Sequence, residues 1–218
     1  MSKTKSISVT ETAKLIRRSL NESFPDVKFT VRCAKYAGGA SIHVGWVDGP
    51  STLQVEAITS RFQATYYDTL ADCWRPLRHR LAGETVHLGS SIVQCHRQHS
   101  DAWCADAIHA IYAQHQALLS ARGVVAPTVR DFLEGRLHAV ALAPPDYQRE
   151  PDPSDIPFSD GAASTGYPSL MDEVIRVLNE RTAHATPETS ATALSVTVAA
   201  SDNPSAFLAD AGWERVAH

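Results

Sequence analysis

The sequence predicts an α+β fold, a small antiparallel sheet with helices packed on one face, followed by a partly disordered acidic C-terminal extension. Three observations carry this prediction. Two short segments around a Gly-Gly pair alternate apolar and polar residues with period two, the pattern of a hairpin with one buried face. Segments on either side repeat apolar residues at helical spacing behind capping signals. Beyond residue 140 the composition turns to proline and acid.

The first helix is expected from about Ser8 to Ser23. Ser8 and Glu11 have capping-box spacing, and Val9, Ala13, Ile16, Leu20 and Phe24 draw one apolar stripe until Pro25-Asp26 ends it. Two strands follow, Lys28–Cys33 and Ala40–Val47. Phe29, Val31 and Cys33 alternate with Lys28, Thr30 and Arg32; Ile42, Val44 and Trp46 alternate with Ser41, His43 and Gly45. Tyr36-Ala37-Gly38-Gly39 between them supplies the glycines of a tight reversal. After Asp48-Gly49-Pro50, a second helix opens on Ser51 and Gln54, again at capping-box spacing, with Val55, Ile58 and Phe62 inward.

Residues 63–84 read as less regular, and Thr85 to about Cys95 as a third strand. A long helix is expected from Ser100 as N-cap to Arg122, with Cys104, Ile108, Ile111, His115 and Leu118 inward and Gly123 as its C-terminal cap. Thr128 to about Val140 reads as another short helix. Pro144, Pro145, Pro151, Pro153 and Pro157 mark a linker, and Ser169–Arg181 reads as an isolated amphipathic helix. The expected organisation is a compact domain over residues 1–140, a Pro/Asp-rich linker over 141–168, and a low-complexity tail over 169–218 that holds the short helix.

At 218 residues, with 44% hydrophobic and 20% charged residues, the chain is long enough to bury a core and ordinary in composition for a globular protein. The first residues are polar and no run of about 18 apolar residues occurs, so neither a secretory signal nor a membrane partner is expected, and the cytoplasm is the expected location. Cys33, Cys73, Cys95 and Cys104 sit at irregular spacings and read as free thiols. Residues 1–140 carry 16 Lys and Arg against 12 Asp and Glu, a net +4; residues 141–218 carry 4 against 12, a net −8. Such a balance admits an anionic partner for the body, though +4 falls well short of a dedicated nucleic-acid binder, and acidic residues also solvate an unpacked tail.

The run from Tyr36 to Pro50, Tyr-Ala-Gly-Gly-Ala-Ser-Ile-His-Val-Gly-Trp-Val-Asp-Gly-Pro, carries a family likeness. It is preceded by Glu11-Thr12-Ala13-Lys14-Leu15-Ile16-Arg17 and Phe24-Pro25-Asp26-Val27-Lys28-Phe29. It is followed by Tyr67-Asp68, Asp72, Val86-His87-Leu88-Gly89, His96-Arg97 and Ser100. Over about residues 8–120 the chain resembles the large polyvalent protein-associated domain of the twenty-ninth type. The resemblance implies a context, multi-domain proteins of phages and conjugative plasmids that enter a recipient cell with the DNA and counter its defences. It brings no catalytic residue with it.

Trp74, Arg75, Arg78, His79 and Arg80 form the densest basic cluster, where guanidinium forks suit phosphates and an indole face suits a base. Lys28, Arg32 and His43, on the polar side of the hairpin, would extend that surface. The bland alternative is a solvated face. Cys95, His99 and Cys104, with His96 among them, are weak metal candidates, because structural zinc sites use paired short spacings and only one cysteine flanks each end here. Cofactors are not expected. The chain has no G-x-S-x-G, H-E-x-x-H, G-x-G-x-x-G or phosphate-cradling glycine loop, and ten histidines make a chance pairing such as His43 with Asp48 or Asp68 easy. The expectation is a non-enzymatic accessory or counter-defence protein that binds a macromolecular partner, either a host defence protein or nucleic acid. A nucleic-acid-binding escort of incoming DNA is the alternative, and an enzyme acting on nucleic acid without a recognisable motif the third. The oligomeric state is not legible.

Overall fold

The computed structural model describes residues 4–69, 72–143, 167–185, 194–198 and 214–215. Contacts gather the chain into two units, Met1–Gln98 with Thr182–His218, and His99–Arg181. This grouping differs from a division at residue 140. The prolines from Pro144 to Pro157 lie outside the described residues.

The first unit opens with strand β1, Lys5–Ile7, and helix α1, Val9–Ser23. The capping box forms as expected: the Ser8 hydroxyl accepts from the Glu11 amide at 3.3 Å, and the Glu11 carboxylate accepts from the Ser8 amide at 2.9 Å. Its stripe from Val9 to Phe24 is buried. Strands β2, Thr30–Tyr36, and β3, Gly39–Val47, form the antiparallel hairpin about Ala37-Gly38, with Gly38 at φ +100°. On β2 only Val31 is buried. Cys33, read as inward, is exposed on this edge strand, although its thiol lies on the helix side, 3.7 Å from the Val9 carbonyl at the start of α1.

Helix α2, Thr52–Thr59, carries the second capping box and continues into a 3-10 turn at Ser60–Phe62, burying Val55, Ile58 and Phe62. Residues read as irregular then form three short strands, β4 (Thr65–Asp68), β5 (Cys73–Pro76) and β6 (Arg78–Leu81). The single strand expected over Thr85–Cys95 is two, β7 (Glu84–Leu88) and β8 (Ile92–Gln98), and they belong to different sheets. The break falls at Gly89, where a Cβ would stand 2.6 Å from the Val9 nitrogen, so the chain turns away against the start of α1.

In the second unit, the helix expected over residues 100–122 is interrupted at His115, giving α3 (Asp101–Gln114) and α4 (Gln116–Ala121). The interruption turns the inward face to Leu119 rather than Leu118. Helix α5 (Val129–Leu133) and a 3-10 turn at Arg136–Ala139 are separated by left-handed Gly135, in place of one continuous helix. Helix α6, Leu170–Glu180, is not isolated: Leu170, Met171, Val174 and Leu178 join Cys104, Ile108, Ile111, Leu119 and Leu137 in one core. The Arg181 guanidinium lies 4.4 Å above the Trp103 ring and pairs with Asp106 at 3.1 Å.

Two last strands complete the first unit, β9 (Leu194–Val198), antiparallel on β6, and β10 (Glu214–Arg215), parallel to β9. Three sheets result, with orders β1-β7-β6-β9-β10, β2-β3-β8 and β4-β5. The class is α+β. Helices α1 and α2 share a core with Ile42, Val44 and Trp46 of the three-stranded sheet, and among the described residues no helix covers that sheet's other face, where Arg32, His43, Gln94 and His96 are exposed. Among the described residues, no helix is long and apolar enough to cross a membrane.

Candidate functional site

Period two along each strand decides what the open face presents. β3 turns Ala40, Ile42, Val44 and Trp46 inward, and therefore Ser41, His43, Gly45 and Val47 outward. Antiparallel pairing places Arg32 opposite His43 and Thr30 opposite Gly45; parallel pairing with β8 continues those rows to Gln94 and His96. Arg32, His43, Gln94 and His96 are all exposed, and Tyr36, at the end of β2 on the same side, is 52% exposed. His43 is hydrogen-bonded to Ser41 at 3.1 Å rather than to a carboxylate. Asp68, the other acid considered for it, pairs with Arg75.

One part of this face is concave. A cleft of about 640 Å³ is lined by Asp26, Lys28, Thr30 and Arg32, by Gly45, Val47 and Gly49 with the edge of Trp46, and by His96, Gln98 and His184. Its frame is well fixed. The Trp46 indole N–H donates to the Pro50 carbonyl at 2.9 Å. Arg97, pointing inward between His96 and Gln98, donates to the carbonyls of Asp48 at 3.0 Å and Gly49 at 2.8 Å, tying down a turn whose two residues both have positive φ. His184 is held from behind: its carbonyl accepts from the Gln54 side chain at 2.8 Å, and its ring meets Phe24 edge-on at 5.5 Å. Among the described residues, neither Lys28 nor Arg32 makes an ion pair.

The structure thus brings Lys28, Arg32 and His43 onto one face and puts the rest of the basic cluster elsewhere. Trp74 and Arg75 belong to the β4–β5 hairpin, where Trp74 meets Tyr67 edge-on at 5.4 Å and Arg75 pairs with the buried Asp68 carboxylate at 2.8 Å. Arg78 and Arg80 point outward from β6 in the five-stranded sheet, Arg80 donating to the Gly83 carbonyl at 3.3 Å. His79 between them is buried, and burial pushes its pKa down to about 4, so it is a neutral core residue. Sequence reasoning set Gly45 beside His43 on the polar side of the hairpin and passed over His96 and Gln98 as members of this face. The alternation of Gln94, His96 and Gln98 against Val93 and Cys95 was the signal available for those two. Nothing local marks His184.

Of the weak metal candidates, Cys95 and His96 lie on β8 in the first unit, and His99 and Cys104 belong to the second. Burial pushes the Cys95 thiol up to about 11, and its sulfur lies 3.2 Å from the Thr59 hydroxyl. Cys104 is enclosed by apolar side chains. Among the described residues, no group of three His, Cys, Asp or Glu side chains is placed to hold a metal ion.

No curated protein and no solved structure matches the chain. A family match exists over residues 7–100, ending at Ser100 rather than running on to residue 120. It takes in α1, the hairpin, β8 and almost the whole cleft, and stops where the second unit begins. Residues 7–100 are a large polyvalent protein associated domain 29.

Proposed function

We propose that this chain is a non-enzymatic accessory protein of a mobile genetic element, phage or conjugative plasmid, and that it acts by binding nucleic acid on the open face of its three-stranded sheet. The observation that carries the reading is the placing of two cations with no ion pair among the described residues, Lys28 and Arg32, on a concave sheet face beside exposed His43, His96 and Tyr36. Cations without carboxylate partners keep their full attraction for phosphate, and aromatic and imidazole rings on a sheet give splayed bases a surface to stack on. The family context supports the setting, and counter-defence is the role that fits it.

Fluorescence anisotropy with labelled single- and double-stranded oligonucleotides at two salt concentrations tests this. Binding should weaken steeply with salt, and Lys28→Glu with Arg32→Glu should abolish it, whereas Arg78→Ala with Arg80→Ala should change it little. No binding at low salt would overturn the nucleic-acid reading and leave a host defence protein as the partner class.

A further inference from the structure

We propose that the cleft floored by Gly45 holds one nucleotide unit, its phosphate on Lys28 and Arg32 and its base laid over the glycine. This rests on the reading of the open face as a nucleic-acid surface and adds a specific seat within it.

Gly45 is the starting point. It sits mid-strand on β3, where glycine weakens a strand, and nothing in the fold asks for it. Its φ is not positive, and a Cβ built there would have as its nearest neighbour the His96 carbonyl oxygen at 3.8 Å, an ordinary contact. A side chain would therefore fit the backbone. It would project from the outward side of β3 into the cleft and fill its floor. A glycine that the backbone does not need, at the bottom of a cleft, marks a place where a ligand comes close to the main chain.

The chemistry around that floor selects the ligand. Lys28 and Arg32 give a point charge and a planar fork, the combination that holds a phosphate. A bare inorganic anion suits the cleft poorly, because Asp26 also lines it and would repel an ion that has acceptors only. Asp26 calls for a ligand that carries hydrogen-bond donors as well as a phosphate, such as sugar hydroxyls or a base amino group. Val47, 54% exposed, adds apolar surface that a phosphate ion leaves unused and a heterocycle covers. His96 and Gln98 offer polar groups for a base edge. The volume, about 640 Å³, lies in the range of sites for small molecules of this size. A base paired in a duplex cannot lie flat on Gly45, so the seat takes a free nucleotide or an unpaired one in a strand.

The test uses the full chain, with anisotropy for single- and double-stranded oligonucleotides and calorimetry for a free nucleoside monophosphate and for inorganic phosphate. Gly45→Val fills the floor while suiting a strand. It should lower single-strand affinity about tenfold, the scale of one lost base contact, and leave duplex binding unchanged. Lys28→Glu with Arg32→Glu should remove both. If Gly45→Val fails to fold by circular dichroism, Gly45→Ala should show a smaller loss in the same sense. Binding of the free nucleotide, but not of phosphate, identifies a mononucleotide as sufficient; strand binding alone identifies a strand segment as the source. Full single-strand affinity in both Gly45 variants, with loss in the charge-reversed pair, overturns the nucleotide seat and leaves the face intact. No binding of any probe overturns both readings.

Discussion

Gly45→Ala and Gly89→Ala should shift stability in opposite directions, although neither glycine, one within β3 and the other just after β7, has a positive φ. At position 45 the added methyl meets only the His96 carbonyl, at 3.8 Å. The substitution removes unfolded-state freedom and adds no clash, so it should stabilise by about 0.5–1 kcal/mol. At position 89 a Cβ would lie 2.6 Å from the Val9 nitrogen, 2.9 Å from the Ile7 carbonyl oxygen and 3.0 Å from the Ser8 carbonyl carbon. All three are main-chain atoms, which no rotamer change can clear. The junction of β1 and α1 must move, at a cost of about 1–3 kcal/mol or more. The two variants should therefore differ by about 1.5–4 kcal/mol, several degrees in melting temperature. Urea unfolding followed by far-ultraviolet circular dichroism reads this as midpoints displaced to either side of the parent at unchanged slope. If Gly45→Ala is as destabilising as Gly89→Ala, the fold does need glycine at 45, and the argument for a ligand seat over it collapses.

Trp46→Ala should cost about 3–5 kcal/mol, because it empties a buried site and removes the hydrogen bond to Pro50, whereas His43→Ala on the outward face should stay within about 0.5 kcal/mol. Equal costs by denaturant titration would mean the strand faces are misassigned. His79 stays neutral when folded, with a pKa of about 4 against about 6.5 when unfolded. The unfolded chain takes up the proton first, so stability should fall as pH drops from about 6.5 to about 4, by on the order of 3 kcal/mol. His79→Gln should flatten that limb, and an unchanged slope in melts between those pH values would refute the assignment. Limited proteolysis with mass mapping should find its first cuts in the proline-rich residues 144–166, and the fragment carrying α6 should remain bound to the one carrying α3 through their shared core. Separation of the two fragments on gel filtration without denaturant would contradict that packing.

Helices α1 and α2 were legible because a capping box and an apolar stripe are local signals, complete within about four turns of chain. The hairpin was legible for the same reason, and with it the shared face of Lys28, Arg32 and His43. The strands between Thr65 and Leu81 were not, since four residues give barely two periods of alternation, and Pro76 and the turns interrupt even those. The break at Gly89 depends on the backbone of Val9, far away in sequence. Amphipathicity announced α6 and its apolar side, but the identity of the surface covering Val174 and Leu178 is a tertiary fact. The cleft divides along the same line. Its β2 and β3 members follow from alternation, His96 and Gln98 from the β3–β8 register, and His184 only from its hydrogen bond to Gln54.

Strand β6 lies between β7 and β9, and β9 comes from beyond the stretch that matches the family. A copy of residues 7–100 moved into another protein would arrive with the main-chain amides and carbonyls of Arg78–Leu81 uncovered on one side. Such an edge accepts any extended peptide, including its counterpart on a second copy, and invites aggregation unless it is covered. Recombination of this module between proteins is thus constrained at its border: each new host must bring its own strand to cap the sheet, or tolerate an adhesive rim.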